Sequence, residues 1–435
     1  MSALAKYCIL LGCKVSGRDE NYSKNVEELV EWGARISIGE TSSDLEKADL
    51  VVYTASIKRN HPEYVRAVEL GKKMISRDFF LHEISQDFGK IVAVSGTHGK
   101  TTTCAMITSI LLESEIGFTA HVGGKSEKGN LVYKGDDIFI TEACEYNRSF
   151  LALKPDVSLI LNVEMDHPDT YQNEEQLYDA FRSFACNLKR NGTLVVNADS
   201  RYYDFIKSTH KDMRTYAIKN TADLTARNII NYGNGIYGFQ IVQKGYQNLD
   251  IRLSISGYHN VENALGAIIV SRILGVPERS IQRGLEKFKG VSGRMEYLGE
   301  NDGSVIYRDY AHHPTEISVA LRTIREMYPN HKIITLFQPH TRRRTETLLE
   351  DFGKALIESD ELFILKEYLA REENGGKGAY ELYLETKKMH DKVYYFGTHL
   401  DVVKGIKESL GRGKVLLILG AGDVMELGAL FIKEK

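Results

Sequence analysis

The chain has 435 residues, 43% of them hydrophobic and 26% charged, with a formal net charge of −3. That length allows two or three domains with cores of their own, and that charge disfavours nucleic acid or an anionic membrane as the main partner. Five cysteines (Cys8, Cys13, Cys104, Cys144, Cys186) with no Cys-x-x-Cys pair, no apolar run of membrane-spanning length and no basic-then-apolar start lead us to expect a cytoplasmic chain without a disulfide framework.

Taken in order, residues 1–86 alternate short elements. A helical pattern covers 2–11, a strand at 14–17 ends at Arg18-Asp19, a helix covers 26–32, and a buried strand at 50–53 leads into Thr54-Ala55-Ser56. Loops at strand ends are where open α/β sheets bind ligands.

From residue 90 the pattern sharpens. Residues 91–94 are an apolar run of the kind that makes a buried parallel strand. The chain then turns through Ser95-Gly96-Thr97-His98-Gly99 and continues as Lys100-Thr101-Thr102-Thr103 into a helix with Met106, Ile107, Ile110 and Leu111 at helical spacing. Strand, glycine turn, Lys-Thr and helix together suit a triphosphate. Glycines admit backbone N–H groups to phosphate oxygens, and the helix N-terminus adds partial positive charge. Lys100 would neutralise the β- and γ-phosphates, and the Thr101 hydroxyl would ligate Mg²⁺. The full Walker pattern is not met, because the glycine that opens it would fall at Val94 and stands at Gly96 instead.

Further strands are expected at 137–141, 157–162 and 193–197, helices at 174–188 and 260–274, and a hairpin turn at 231–235. From 292 the alternation runs through a strand at 305–307, a helix at 314–328, a strand at 333–337, a helix at 346–357 and a closing strand at 416–419. Polar groups gather at several strand ends. Glu142-Ala143-Cys144-Glu145-Tyr146 offers carboxylates near the phosphate loop, which suit a hard cation. Asn162-Val163-Glu164-Met165-Asp166-His167-Pro168-Asp169 places four polar groups together. Gly257-Tyr258-His259-Asn260-x-x-Asn263-Ala264 reads as a helix start. In Asp309-Tyr310-Ala311-His312-His313-Pro314-Thr315-Glu316, helix capping explains Pro314 to Glu316 and leaves Asp309, His312 and His313 unexplained. Phe337-Gln338-Pro339-His340-Thr341 precedes three arginines, of which Arg342 and Arg343 read as surface. Gly420-Ala421-Gly422-Asp423 reads as a tight turn, since Met425 stands where a dinucleotide site wants its third glycine.

The shortened G-T-x-G-K-T-T loop, followed in order by E-A-C-E-Y, H-N-x-x-N-A, D-Y-A-H-H-P-T-E and F-Q-P-H, resembles the Mur ligase family over essentially the whole chain. The resemblance implies three consecutive α/β domains. These are a Rossmann-like UDP-binding domain lacking its first strand (1–86), a central P-loop ATPase-like domain (87–291) and a C-terminal Rossmann-like, amino-acid-binding domain (292–435). It implies a ligase that uses ATP to turn a carboxylate into an acyl phosphate, which an amine then attacks. The histidine between Thr97 and Gly99 resembles the member that adds L-alanine to UDP-N-acetylmuramate in peptidoglycan precursor synthesis. The expected partners are thus small molecules, with the oligomeric state open.

Residue by residue, the resemblance puts Gly96, Thr97, His98, Gly99, Lys100, Thr101 and Thr102 on the nucleotide. Mg²⁺ goes to Thr101, Glu145 and His167, with Glu142 a second choice. His259 and Asn263 would line the adenine and Asp309 would meet the ribose. Arg294 is a nucleotide contact too, although the usual Arg-Arg pair is Gly293-Arg294 here, and Arg308 replaces an acidic residue often found upstream of Asp309. His312 would face the reacting centre, and His340 and Arg344 the amino acid, so Lys100, His167, His312 and Arg344 form the expected catalytic set. Ser16, Asp19 and Ser56 would contact the UDP-sugar. The family's first strand and glycine loop would lie upstream of Met1-Ser2-Ala3-Leu4-Ala5, so we expect the reading frame to begin before Met1. A sister ligase adding another amino acid or a peptide, a P-loop ATPase or kinase, and a non-catalytic nucleotide-binding remnant are the competing readings.

Overall fold

Three α/β units follow one another in the computed structural model, which describes residues 1–39, 44–54, 57–126, 128–370 and 376–432. In the first unit the strands Ser16–Asp19 and Arg35–Ile38 pair in parallel, as do Leu50–Tyr53 and Lys73–Ser76. Among the described residues neither pair hydrogen-bonds to the other. The strand expected at 14–17 is displaced because a turn through Gly12 (φ +82°) takes up the residues before it, and parallel pairing begins only at Ser16 opposite Arg35. The helix Ser2–Leu10 buries Ala3, Leu4 and Tyr7, and Tyr7 packs on the Phe88 ring at 5.9 Å.

The second unit is organised by the strand Lys90–Ser95. Its neighbours in a ten-stranded sheet are Ile138–Glu142 on one side and Val157–Ile160 on the other, both parallel to it. All three strands therefore end at the same edge, and the loops after them share one crevice. The apolar runs of these strands have no polar alternation because helices cover both faces. Lys100–Leu112 is buried nearly all round, with Met106, Ile107, Ile110 and Leu111 inaccessible, and it packs with His259–Ile273 and Glu278–Lys287 into one core. Glu174–Cys186 closes the other face with Leu177, Phe181 and Phe184. The hairpin expected at 231–235 joins the antiparallel strands Leu224–Asn231 and Ile236–Gln243, and Leu249–Ser256 beside them forms that edge of the sheet.

The third unit is a six-stranded sheet, parallel except for its first strand, Glu296–Asn301. The helix Pro314–Met327 docks on it through Ile317, Ala320, Leu321 and Ile324, as its spacing requires. The helix expected at 346–357 differs. It is two helices, Arg342–Thr347 and Leu349–Leu356: Thr341 (φ +66°) starts the first one early, its carbonyl accepting from Thr345 Oγ1 at 2.7 Å, and Leu348 (φ −113°, ψ 24°) leaves helical geometry between the two. The arginine run is therefore helical, and Arg342 is not a solvated surface group: it binds the nearly inaccessible Glu367 at 2.5 Å.

Candidate active site

The glycine turn is shaped by two left-handed residues. Gly96 has φ +139° and Gly99 φ +85°, and a Cβ on Gly99 would sit 2.5 Å from Asn263 Oδ1. Asn162, from the next strand end, fixes the loop. Its carbonyl accepts from Thr97 N at 3.1 Å, its Oδ1 accepts from His98 N at 2.8 Å, and its Nδ2 donates to His98 O at 3.1 Å. The backbone donors of Thr97 and His98 are thus committed within the protein. Those of Lys100, Thr101 and Thr102 head a helix whose first internal bond runs from Thr103 N to Gly99 O (2.9 Å), which leaves them aimed at the crevice. Gly99→Ala is expected to cost about 1–3 kcal/mol through the positive φ alone. Thermal unfolding checks this, and an unchanged midpoint would mean the loop can follow another path.

Lys100 folds back over its own loop. Its Nζ donates to Thr97 O at 3.0 Å, to Gly96 O, and to Glu145 Oε2 at 3.0 Å. Glu145 is 1% exposed, and burial opposes its charge, but the Lys100 ammonium and then His167 hold its carboxyl below the usual range. Burial likewise opposes the Lys100 charge and Glu145 reverses the balance, raising its pKa. His167, at φ +54°, points Nε2 to within 3.5 Å of Glu145 Oε1. Glu142 instead accepts from Gly123 N at 2.6 Å.

The third domain completes the crevice. Arg344 donates from Nε to Asp166 Oδ1 at 2.7 Å and lies 3.1 Å from His340 Nδ1, so it ties two domains together. Asp166 is buried, which opposes its charge, but Arg344 and then His167 pull its carboxyl well below the usual range. His312 sits between, its ring 5.8 Å from that of His340. Asp309 accepts from the backbone N–H of Met295 (2.7 Å) and Ala311 (2.8 Å), and burial, partly offset by Arg294, raises it to about 6. Arg294 lies over the Tyr310 ring at 5.0 Å. At the start of the helix His259–Ile273, His259 Nδ1 is buried with no hydrogen-bond partner among the described residues, and burial and then Arg294 lower its pKa to about 4. Asn263 donates to Asn260 Oδ1 at 3.1 Å. Ser16 and Asp19 are exposed in the first domain, and Ser56 lies outside the described residues.

Sequence reasoning gave no substrate or metal role to five members of this site: Glu164 and Asp166, which read as supporting or structural, His313, Glu316 and Asn162. Glu316 was legible only as a helix-end charge, yet its Oε1 lies 3.1 Å from His98 Nδ1. Glu164 accepts from Thr315 Oγ1 at 2.6 Å, and His313 Nε2 lies 3.1 Å from Met165 O. Asn162 was visible as part of a polar cluster but not as the anchor of the loop. His98, Glu164 and His313 converge closely enough to suggest a metal centre. However, both His313 nitrogens are engaged, Nε2 by Met165 O and Nδ1 by Thr315 N, while His98 Nδ1 faces Glu316 and its Nε2 faces Glu164 at 3.4 Å without a hydrogen bond. We read the group as an ion-paired clamp.

A phosphate loop at a sheet's switch point, a buried lysine–carboxylate pair and an arginine supplied by a second domain define an enzyme of phosphoryl transfer assembled between domains. Comparison with known proteins narrows the class. The family pattern described as "Mur ligase family, catalytic domain" matches residues 1–89, "Mur ligase middle domain" matches 94–271, and "Mur ligase, glutamate ligase domain" matches 293–422. The chain belongs to the Mur ligase family. It is 37% identical to the UDP-N-acetylmuramate–L-alanine ligase of Clostridium perfringens, an alignment that covers 100% of this chain and 95% of the relative. It is 38% identical to the enzyme of that name from Clostridium kluyveri, covering 100% and 96%. Among solved structures it is similar to the UDP-N-acetylmuramate–alanine ligase MurC of Thermotoga maritima, with a TM-score of 0.84, 26% identity and coverage of 99% and 95%. The fold is also that of a murein peptide ligase from Psychrobacter arcticus, with a TM-score of 0.76 at 22% identity and coverage of 99% and 95%. Among the described residues no helix is long and apolar enough to cross a membrane.

Proposed function

We propose that this chain uses ATP to join L-alanine to the carboxylate of UDP-N-acetylmuramate, a step of peptidoglycan precursor synthesis in the cytoplasm. The observation that carries the reading is full-length identity to enzymes of that name together with Lys100, Glu145 and His167 assembled at one phosphate loop.

The residues support a division of labour. Helix-end amides of Lys100, Thr101 and Thr102 bind phosphate oxygens, and Lys100 exchanges its loop carbonyls for the β- and γ-phosphates. Glu145, so released, is a buried carboxylate in need of a cation, and with Thr101 and His167 it offers a donor set that suits Mg²⁺. Bound there, Mg²⁺ would neutralise charge on the transferring phosphoryl group. A carboxylate oxygen of the sugar attacks the γ-phosphorus and ADP leaves. The amine of L-alanine then attacks the acyl carbon, and inorganic phosphate leaves with the carboxylate oxygen. His259 and Asn263 border the adenine, Asp309 and Arg294 the ribose side, His312, His340 and Arg344 the amino acid, and Ser16, Asp19 and Ser56 the UDP-sugar. The same reading divides the chain at 1–86, 87–291 and 292–435.

Phosphate release should require UDP-N-acetylmuramate and an amino acid together. Among L-alanine, glycine, L-serine and a tripeptide, L-alanine should show the highest kcat/KM, by roughly ten- to two-hundredfold over glycine, since one methyl separates them. A clear preference for the tripeptide would move the chain to a peptide-adding class, and phosphate release without either acceptor would make it an ATPase.

A further inference from the structure

We propose that His98 is the positioning residue through which docking of the C-terminal domain sets the geometry of the phosphate loop. Its main chain is gripped on both sides by one amide, Asn162 Oδ1 accepting from its N–H at 2.8 Å and Asn162 Nδ2 donating to its carbonyl at 3.1 Å. Its side chain leaves the loop and enters the seam between domains. There Nδ1 lies 3.1 Å from Glu316 Oε1, and Nε2 lies 3.4 Å from Glu164 Oε2. Glu316 belongs to the C-terminal domain, in the first turn of the helix Pro314–Met327, and its second oxygen is held by His312 N at 3.1 Å. Glu164 belongs to the middle domain. Its own N–H and carbonyl are bound by Thr97 Oγ1, at 2.9 and 3.0 Å, so it is part of the loop's bed.

One imidazole, 14% exposed on its side chain, thus faces a carboxylate from each domain: Nδ1 is at hydrogen-bond distance from Glu316, Nε2 has Glu164 at ion-pair distance without a hydrogen bond, and the His313 ring stands 4.7 Å away as a wall. With a negative group at each nitrogen the ring is held as the imidazolium: burial opposes the charge, and Glu316 and Glu164 outweigh it, raising the pKa to about 9. Binding a triphosphate does not call for this arrangement. Lys100 and the helix-end amides serve that purpose, and the His98 N–H is already committed to Asn162. What the arrangement does is make the loop's fixed point depend on the position of Glu316. When the C-terminal domain undocks, His98 loses one of its two charged anchors, and Lys100, two positions on, loses the constraint that aims it.

The activity test rests on the ligase reading, and wild-type turnover decides that reading separately. In the full chain, His98→Gln and Glu316→Gln should each lower kcat roughly 10- to 100-fold by misplacing the loop, with KM for UDP-N-acetylmuramate changed less than about twofold. The double variant should fall no more than about threefold below the worse single, because both remove one interaction. Losses that multiply in the double variant, or single variants within about threefold of wild type, would overturn the proposal. A structural role alone would lower the unfolding midpoint and leave kcat per folded molecule unchanged, which also overturns it. A second readout needs no turnover. With one spin label on the middle domain and one on the C-terminal domain, a non-hydrolysable ATP analogue should give a single short distance in wild type and a mixture of distances in both variants. If His98→Gln does not fold, Glu316→Gln and Glu316→Ala supply the same comparison, and wild-type distances in them would contradict the proposal.

Discussion

Lys100→Ala and Lys100→Met are expected to lose at least about a thousandfold in kcat, roughly 4 kcal/mol of transition-state stabilisation. They are also expected to fold less stably, because the lysine neutralises a carboxylate that is 1% exposed. Removing one partner of a buried pair leaves an uncompensated charge, at about 3–5 kcal/mol. The pH dependence follows from the direction of the shift. The Glu145 carboxyl is held below its ordinary value in the intact pair, so the pair stabilises the fold fully above the ordinary carboxylate range and loses its contribution as pH falls below that range and through the lowered value. Without Lys100, burial raises that carboxyl, so the variant's deficit is largest at neutral and alkaline pH and shrinks on acidification. The thermal midpoint should therefore lie further below wild type at pH 8 than at pH 5. Mg²⁺ should recover part of the loss at pH 8 by replacing the missing cation. A deficit independent of pH would contradict the buried Lys100–Glu145 pair, and turnover within tenfold of wild type would mean that Lys100 does not face the transferring phosphate.

Arg344→Met should be the next most damaging change. It strands Asp166, whose side chain is 7% exposed and whose Oδ1 accepts from both the Arg344 guanidinium and the His167 N–H. The expected cost to stability is again about 3–5 kcal/mol. Turnover should fall further than stability explains, because the same contact joins the C-terminal domain to the residue preceding His167. Arg344→Lys should recover little, since one ammonium cannot reproduce the planar donor set that spans Asp166 and His340. Denaturant unfolding and initial rates on the same preparations would separate the two effects, and a fully active Arg344→Lys would assign the arginine to packing alone.

These two residues mark where the sequence was and was not legible. The phosphate loop could be read because its chemistry is local: a strand, two glycines, a lysine and a helix lie within one short stretch. The same holds for the order of the three α/β units and for the polar residues at strand ends, which an open sheet must bring to one edge. The partners of those residues were not legible. Glu316 meets His98 across a separation of 218 residues and Arg344 meets Asp166 across 178. No periodicity encodes such pairs, and the residues had adequate readings without them, Glu316 as a helix-end charge and Arg344 as a contact to the amino acid. The break at Leu348 was missed for a similar reason. The apolar spacing of Phe352, Ala355 and Leu356 continues a helical pattern, while the break lies in the backbone at Leu348 (φ −113°, ψ 24°), which that spacing does not encode.

The acyl-phosphate mechanism can be tested by following one oxygen atom. UDP-N-acetylmuramate labelled with ¹⁸O in its carboxylate is turned over with ATP and L-alanine, and the inorganic phosphate released is weighed by mass spectrometry. If the carboxylate attacks the γ-phosphorus and the amine then displaces phosphate, each phosphate carries one labelled oxygen and the amide product retains the other. Phosphate released without label, with both labelled oxygens still on the sugar carboxylate, would show ATP hydrolysis uncoupled from ligation and would contradict the account.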